Sequence, residues 1–258
     1  MLRSFTMGVT LLFAGTIVPA TVQAGPVNGT GLVTPEVIFG SGNANGAFTG
    51  VNANNVELGL RGKLRYNNSG LPENTFNYDG DRTYTFSPAS SNAPSNRSAF
   101  NFEWSINSNV SGIGTRNLTD LTYLLQVDLD PGSGTSFQSF DPINTLFADH
   151  ALGNNSTANG AGVSDLFLYS AIVGNYNVAQ NSWNLGFSTL FPGIADPQAE
   201  GLYTINLSAA LNGDVLASTS IDIVYGVTPV PVPAALPLLA GGLGLLGFVA
   251  QRRRRRQH

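Results

Sequence analysis

Two aspartates stand two residues apart in VDLDPGSG, at Asp128 and Asp130. On a strand, side chains at i and i+2 point to the same side, about 7 Å apart at ~3.4 Å per residue. With loop carbonyls or Asp141 from FDPIN, such a pair could offer Ca²⁺ the several oxygen ligands it requires. The segment departs from an EF-hand loop, because it lacks a third Asx at the next alternate position and a closing glutamate. The competing reading is a polar strand end turned by Pro131-Gly132. Asp79-Gly80-Asp81 reads as a solvated turn of similar type.

A second group is cationic. Arg61, Lys63 and Arg65 alternate along NVELGLRGKLRY, so a strand would place all three on one face. An acidic polysaccharide could lie along that face, with an aromatic ring stacking on its sugars. The competing reading is a solvated strand face kept charged against edge pairing. Trp183, set among asparagines in AQNSWNLGF, is the expected exposed sugar platform, whereas Trp104 alternates with apolar residues and is expected to be buried.

Asp149-His150 lies near Ser156 and Ser164. A Ser-His-Asp triad needs a nucleophile on its own backbone turn and an acid on the far side of the imidazole. Adjacency in sequence supplies neither, and no G-x-S-x-G elbow is present. The chain contains no cysteine and only two histidines, His150 and His258. Thiol nucleophiles, thiolate zinc sites and clusters of body histidines are therefore excluded. The expectation is a non-enzyme with no cofactor other than, at most, Ca²⁺.

These groups need a scaffold, and the pattern is that of strands. Val56, Leu58, Leu60, Leu64 and Tyr66 alternate with charged residues. Phe100, Phe102, Trp104 and Ile106 alternate with Asn101, Glu103 and Ser105, and LTYLLQVDLD repeats the pattern. LYTINLSAALNGDVLASTSIDIVY reads as two strands joined at Asn212-Gly213. The connectors are rich in Gly, Ser, Pro and the chain's 26 asparagines, which suit turns. One-sided alternation with short connectors predicts an all-β fold, an antiparallel β-sandwich of jelly-roll or immunoglobulin-like kind. The stretch from Gly132 to Gly162 reads as a long polar loop anchored by Phe137, Phe140, Ile143 and Phe147.

The termini carry a different message. Residues 1–24 have Arg3, an apolar core from Val9 to Val18 and a Val22-Gln23-Ala24 cleavage site, in the order of a secretory signal peptide. At the other end Ala234 to Ala250 is uncharged, and Arg252, Arg253, Arg254, Arg255 and Arg256 follow. Seventeen apolar residues approach the length of a membrane-spanning helix, and five arginines resist translocation. The expected division is a signal peptide over 1–24, an extracellular β-sandwich over 25–228 and a sorting segment over 229–258. That body holds six basic and 16 acidic residues, a net of −10, which disfavours nucleic-acid binding.

Val230, Pro231, Val232, Pro233 and Ala234, then the apolar span, then the arginines, resemble the tripartite C-terminal signal of PEP-CTERM proteins, most closely its VPLPA variant. Val232 stands where that variant has leucine. The resemblance implies export through the translocon, removal of the leader by signal peptidase and recognition by an exosortase. It also implies an exopolysaccharide-producing bacterial host. The stretch from Asn101 to Phe187, with NFEWSINSN, FDPIN and ADHALGNNST, resembles exported bacterial proteins carrying the same type of tail and implies no activity. The expected role is structural or adhesive at the cell surface or in the extracellular matrix. A carbohydrate-binding module, calcium-dependent or not, is the first alternative and a secreted hydrolase the second.

Overall fold

The computed structural model describes residues 33–40, 43–45, 48–79 and 82–226. The leader over 1–24, the motif from Val230 to Ala234, the apolar span, Arg252 to Arg256 and Asp81 lie outside the described residues. Among the described residues no helix is long and apolar enough to cross a membrane.

Eleven strands form two sheets, β1 Thr49–Ala53, β2 Val56–Tyr66, β3 Pro72–Thr75, β4 Thr83–Phe86, β5 Phe100–Asn107, β6 Thr122–Asp128, β7 Phe137–Phe140, β8 Ala151–Gly153, β9 Val178–Asn184, β10 Gly201–Leu211 and β11 Asp214–Tyr225. The first sheet runs β1-β2-β5-β9-β8, with β3 also paired to β2. The second runs β4-β11-β10-β6-β7. All pairings are antiparallel except β4 with β11, which is parallel and so departs from the purely antiparallel expectation. That exception follows from connectivity, because the chain reaches β4 by crossing from the first sheet rather than through a hairpin. The expected loop from Gly132 to Gly162 contains β7 and β8, and Phe140 and Ile143 anchor it in the core, while Phe137 is 40% exposed.

Period-two alternation sets which face each strand buries. Leu58 and Leu60 of β2, Phe102 and Trp104 of β5, and Trp183 of β9 face Leu125, Ile205, Leu207 and Ile223 of the second sheet in one continuous core. Gly62 interrupts the β2 series where Tyr84 crosses it, since a Cβ there would stand 2.8 Å from Tyr84 Cβ. Two-residue turns join β1 to β2 at Asn54-Asn55 and β10 to β11 at Asn212-Gly213. All four residues have positive φ, which asparagine and glycine tolerate and which matches the twist of a tight hairpin.

The outer faces of the two sheets differ. On the second sheet Leu124 and Leu202 are each 42% exposed, so that face is wet, as alternation predicts. On the first sheet residues 33–40, 43–45 and 48 lie over the outer face as a strap without regular strand pairing. Its Val33, Val37, Ile38, Phe39 and Phe48 form a second small core with Ala151 and Val178.

Candidate functional site

The strap and the sheet beneath it enclose a layer of polar side chains. β2 contributes Glu57, Arg61 and Lys63; β5 contributes Asn101, Glu103, Ser105 and Asn107; β9 contributes Gln180, Ser182 and Asn184. Register places them side by side, with Arg61 opposite Glu103 and Ser105 opposite Gln180. Their buried N–H and C=O partners come from the strap. Gln180 Oε1 accepts from Ile38 N at 2.8 Å, and its Nε2 donates to Glu36 O at 3.2 Å and to Ser105 Oγ at 3.1 Å. Asn107 Nδ2 donates to Thr34 O at 2.6 Å, and Arg61 Nη2 donates to Ala44 O at 2.9 Å. A strap with no ladder of its own is thus held by amide and guanidinium side chains, which satisfies its backbone away from water.

This arrangement corrects the solvated-face expectation for the basic trio. Arg61 is 0% exposed and Lys63 only 3%. Both pair with Glu103, Arg61 through Nε to Oε2 and Lys63 through Nζ to Oε1. The Arg61 guanidinium lies between the rings of Phe48 and Phe76, 4.2 Å from each centroid. Burial lowers the pKa of both cations, and the Glu103 carboxylate opposes that shift. Arg61 is sealed beneath the strap and cannot contact a polymer along the strand. Arg65 is half-buried, with its guanidinium 5.1 Å from the Tyr66 ring.

Trp183 is also corrected. It is 1% exposed and packs among Phe102, Trp104, Phe140, Phe147 and Phe191, with ring centroids 5.4 to 6.2 Å away. The asparagine-rich context is misleading because Gln180, Ser182 and Asn184 occupy the strap face of β9 while Trp183 takes the core face. Trp104 is buried in the same cluster, as alternation predicts.

The three aspartates serve turns. Buried Asp128 accepts from Asp130 N at 3.1 Å and Ser136 N at 2.7 Å, closing the β6–β7 connection. Asp130 accepts from Gly132 N at 2.8 Å, and Asp141 accepts from Ile143 N at 3.0 Å. Burial raises the Asp141 carboxyl above its usual range. Among the described residues no three carboxylate or histidine groups gather closely enough to hold a metal ion, so Asp128, Asp130 and Asp141 are not brought together as ligands.

His150 is buried against Trp104, its Nδ1 2.7 Å from Phe147 O and its Nε2 2.8 Å from Tyr169 OH. Burial lowers its pKa to about 4. Asp149 turns away and accepts from Asn181 Nδ2 at 3.1 Å, while Ser156 is exposed and donates to Asn154 Oδ1 at 2.8 Å. The imidazole is therefore a packed core group whose two nitrogens are both engaged away from any serine.

One part of the polar layer stays open. A cavity of about 420 Å³ is lined by Lys63, Arg65, Asn74, Asn101, Ser182 and Phe187, with Asn43 of the strap at its edge. A larger cavity of about 670 Å³ lies between the Thr145–Asp149 and Gly186–Leu190 segments. The smaller one is the better candidate because it alone adjoins the buried charge cluster. It gathers two of the residues singled out from sequence, Lys63 and Arg65, and adds Asn74, Asn101, Ser182 and Phe187, which sequence reasoning missed. The signal was available in part: Asn101 and Ser182 sit at polar positions of alternating strands, but pairing of β2, β5 and β9 is what makes them neighbours.

No protein-family model, curated protein or solved structure matches this chain.

Proposed function

We propose that this chain is an exported, surface-destined protein with a structural or adhesive role and no catalytic activity of its own. In this reading residues 1–24 direct it to the translocon and signal peptidase. Residues 25–228 form the extracellular body. Residues 229–258 form an exosortase-recognised sorting segment that anchors the precursor in the inner membrane, before the body passes to the cell surface or matrix. Within the sandwich class we favour a jelly-roll-like arrangement, on the grounds that the chain passes repeatedly from one sheet to the other.

The observation that carries the reading is the tripartite order at the C-terminus, Val230 to Ala234, then an uncharged span, then Arg252 to Arg256. The body agrees with it, because its histidine and its candidate aspartates are engaged in packing and turns. The test is the intact mass and C-terminal peptide of the protein from its native host, with and without the exosortase. A mature end near Val230 to Ala234 that depends on the enzyme is expected. Retention of the peptide through Arg256 in both strains overturns the sorting role and leaves a plain membrane anchor.

A second reading, a carbohydrate-binding module for exopolysaccharide, is favoured by one observation. The open cavity beside Lys63 and Arg65 is polar, partly cationic and bordered by an aromatic ring. A glycan array probed with the full chain tests it.

A further inference from the structure

We infer that the cavity beside Lys63 and Arg65 is a subsite for the carboxylate of an acidic saccharide of the uronate type. The inference deepens the glycan-binding reading and rests on it.

Charge is the first argument. Lys63 is 3% exposed and shares the Glu103 carboxylate with Arg61. Arg65 adds another cation two residues along the same strand face, and among the described residues no carboxylate lies within 4.0 Å of it. Glu73 is the one acid on the cavity wall, and its Oε1 is engaged by Asn74 N at 3.2 Å and Thr75 Oγ1 at 2.6 Å. Cations withdrawn from water without full compensation are costly, and an anion placed between them relieves that cost.

Donor accounting is the second argument. An ammonium carries three N–H groups. Asn43 Oδ1 at 2.7 Å takes one of those on Lys63, and the Glu103 carboxylate meets the same ammonium as an ion pair. The Arg65 guanidinium, which meets the Tyr66 ring, has no hydrogen-bond acceptor among the described residues. Ser182 Oγ accepts from Asn101 Nδ2 at 2.8 Å, leaving its own O–H to donate. Lys63, Arg65 and Ser182 thus keep donors to spare, and a carboxylate is an acceptor-only partner suited to a planar guanidinium. Asn43 and Asn101 amides and the Phe187 side chain border these donors, a mixture of polar and apolar groups suited to a hydroxylated ring. At about 420 Å³ the cavity has room for one.

The test is calorimetric titration of the full chain in detergent micelles with tetragalacturonate, cellotetraose and inorganic phosphate. Tetragalacturonate is expected to bind at least about tenfold more tightly than cellotetraose, and Arg65→Gln is expected to weaken it about tenfold. Arg65 has no ion pair to lose, so that variant keeps the wild-type melting curve. Lys63→Gln, which leaves Arg61 with Glu103, is expected to weaken binding as well. Cellotetraose binding as tightly as the uronate sinks the anionic subsite while the glycan-binding reading stands. Silence toward both sugars sinks both. Phosphate displacing the uronate at equal concentration overturns the saccharide assignment in favour of a bare anion site, and an Arg65→Gln variant that binds as wild type overturns the location.

Discussion

Toward the second sheet, β2, β5 and β9 present Leu58, Leu60, Phe102, Trp104 and Trp183; toward the strap, the same strands present Arg61, Lys63, Glu103, Ser105 and Gln180. Both faces are buried. The core face is stabilised by removal of apolar area from water and by close packing, which is non-directional. The strap face is stabilised only if each polar group meets its partner, so its energy lies in geometry. The lesson is about failure. A lost methylene on the core face leaves a void, whereas a lost partner on the strap face leaves an unsatisfied charge or amide.

The largest effect is expected in the core. Trp183→Ala removes the ring around which Phe102, Phe140, Phe147 and Phe191 pack, and about 3–5 kcal/mol of stability should disappear, read as a lower urea midpoint with an unchanged slope. A loss under about 1 kcal/mol would mean that the aromatic cluster is loosely packed.

Next comes the charge cluster. Glu103→Gln leaves Arg61 and Lys63 buried without their shared carboxylate and should cost about 3 kcal/mol. Replacing Arg61, Lys63 and Glu103 together by methionine, methionine and leucine should recover most of that loss. If the triple variant is no more stable than Glu103→Gln, the strap face is not held by pairing as described.

The two faces also titrate in opposite senses. Glu57, at the strap, accepts from Thr34 N, and burial raises its pKa from 4.5 to about 7. The folded protein then holds a proton that the unfolded chain releases, so this contribution is full at low pH and is lost as pH rises through that window. His150, at the core, is lowered from 6.5 to about 4, so its contribution is full above 6.5 and is lost as pH falls toward 4. Where the windows overlap the slopes oppose each other, and wild-type stability should change little with pH. Glu57→Gln should expose a rising slope and His150→Phe a falling one, each about 1 kcal/mol per pH unit. Parallel slopes in the two variants would break the assignment.

The smallest effect separates the two outer faces. Leu124→Thr, on the wet face of the second sheet, should stay within about 0.5 kcal/mol by thermal melting. Gln180→Ala, at the corresponding outer position of the first sheet, strips Ile38 N of its acceptor and should cost roughly 1–3 kcal/mol. Equal costs would mean that the strap does not seal its face.

The all-β class, the strands β2, β5, β6, β10 and β11, the inward faces of β2, β5 and β6, the hairpin at Asn212-Gly213 and the burial of Trp104 were legible in the residues alone. Period two is a local property of an extended chain, so it is written in consecutive residues. What lies against each face depends on contacts between distant segments. Arg61 and Lys63 alternate with leucines as a solvated face would, yet a strap drawn from residues 33–40, 43–45 and 48, which has no period of its own, removes them from water. Trp183 sits among polar residues as an exposed ring would, yet it belongs to the core because its neighbours Ser182 and Asn184 belong to the other side of the strand. The cavity was invisible for the same reason. Asn101, Ser182 and Phe187 come next to Lys63 and Arg65 only because β2 pairs with β5 and β5 with β9, strands far apart in the chain, and burial is decided by such non-local contacts, which no window along the chain contains.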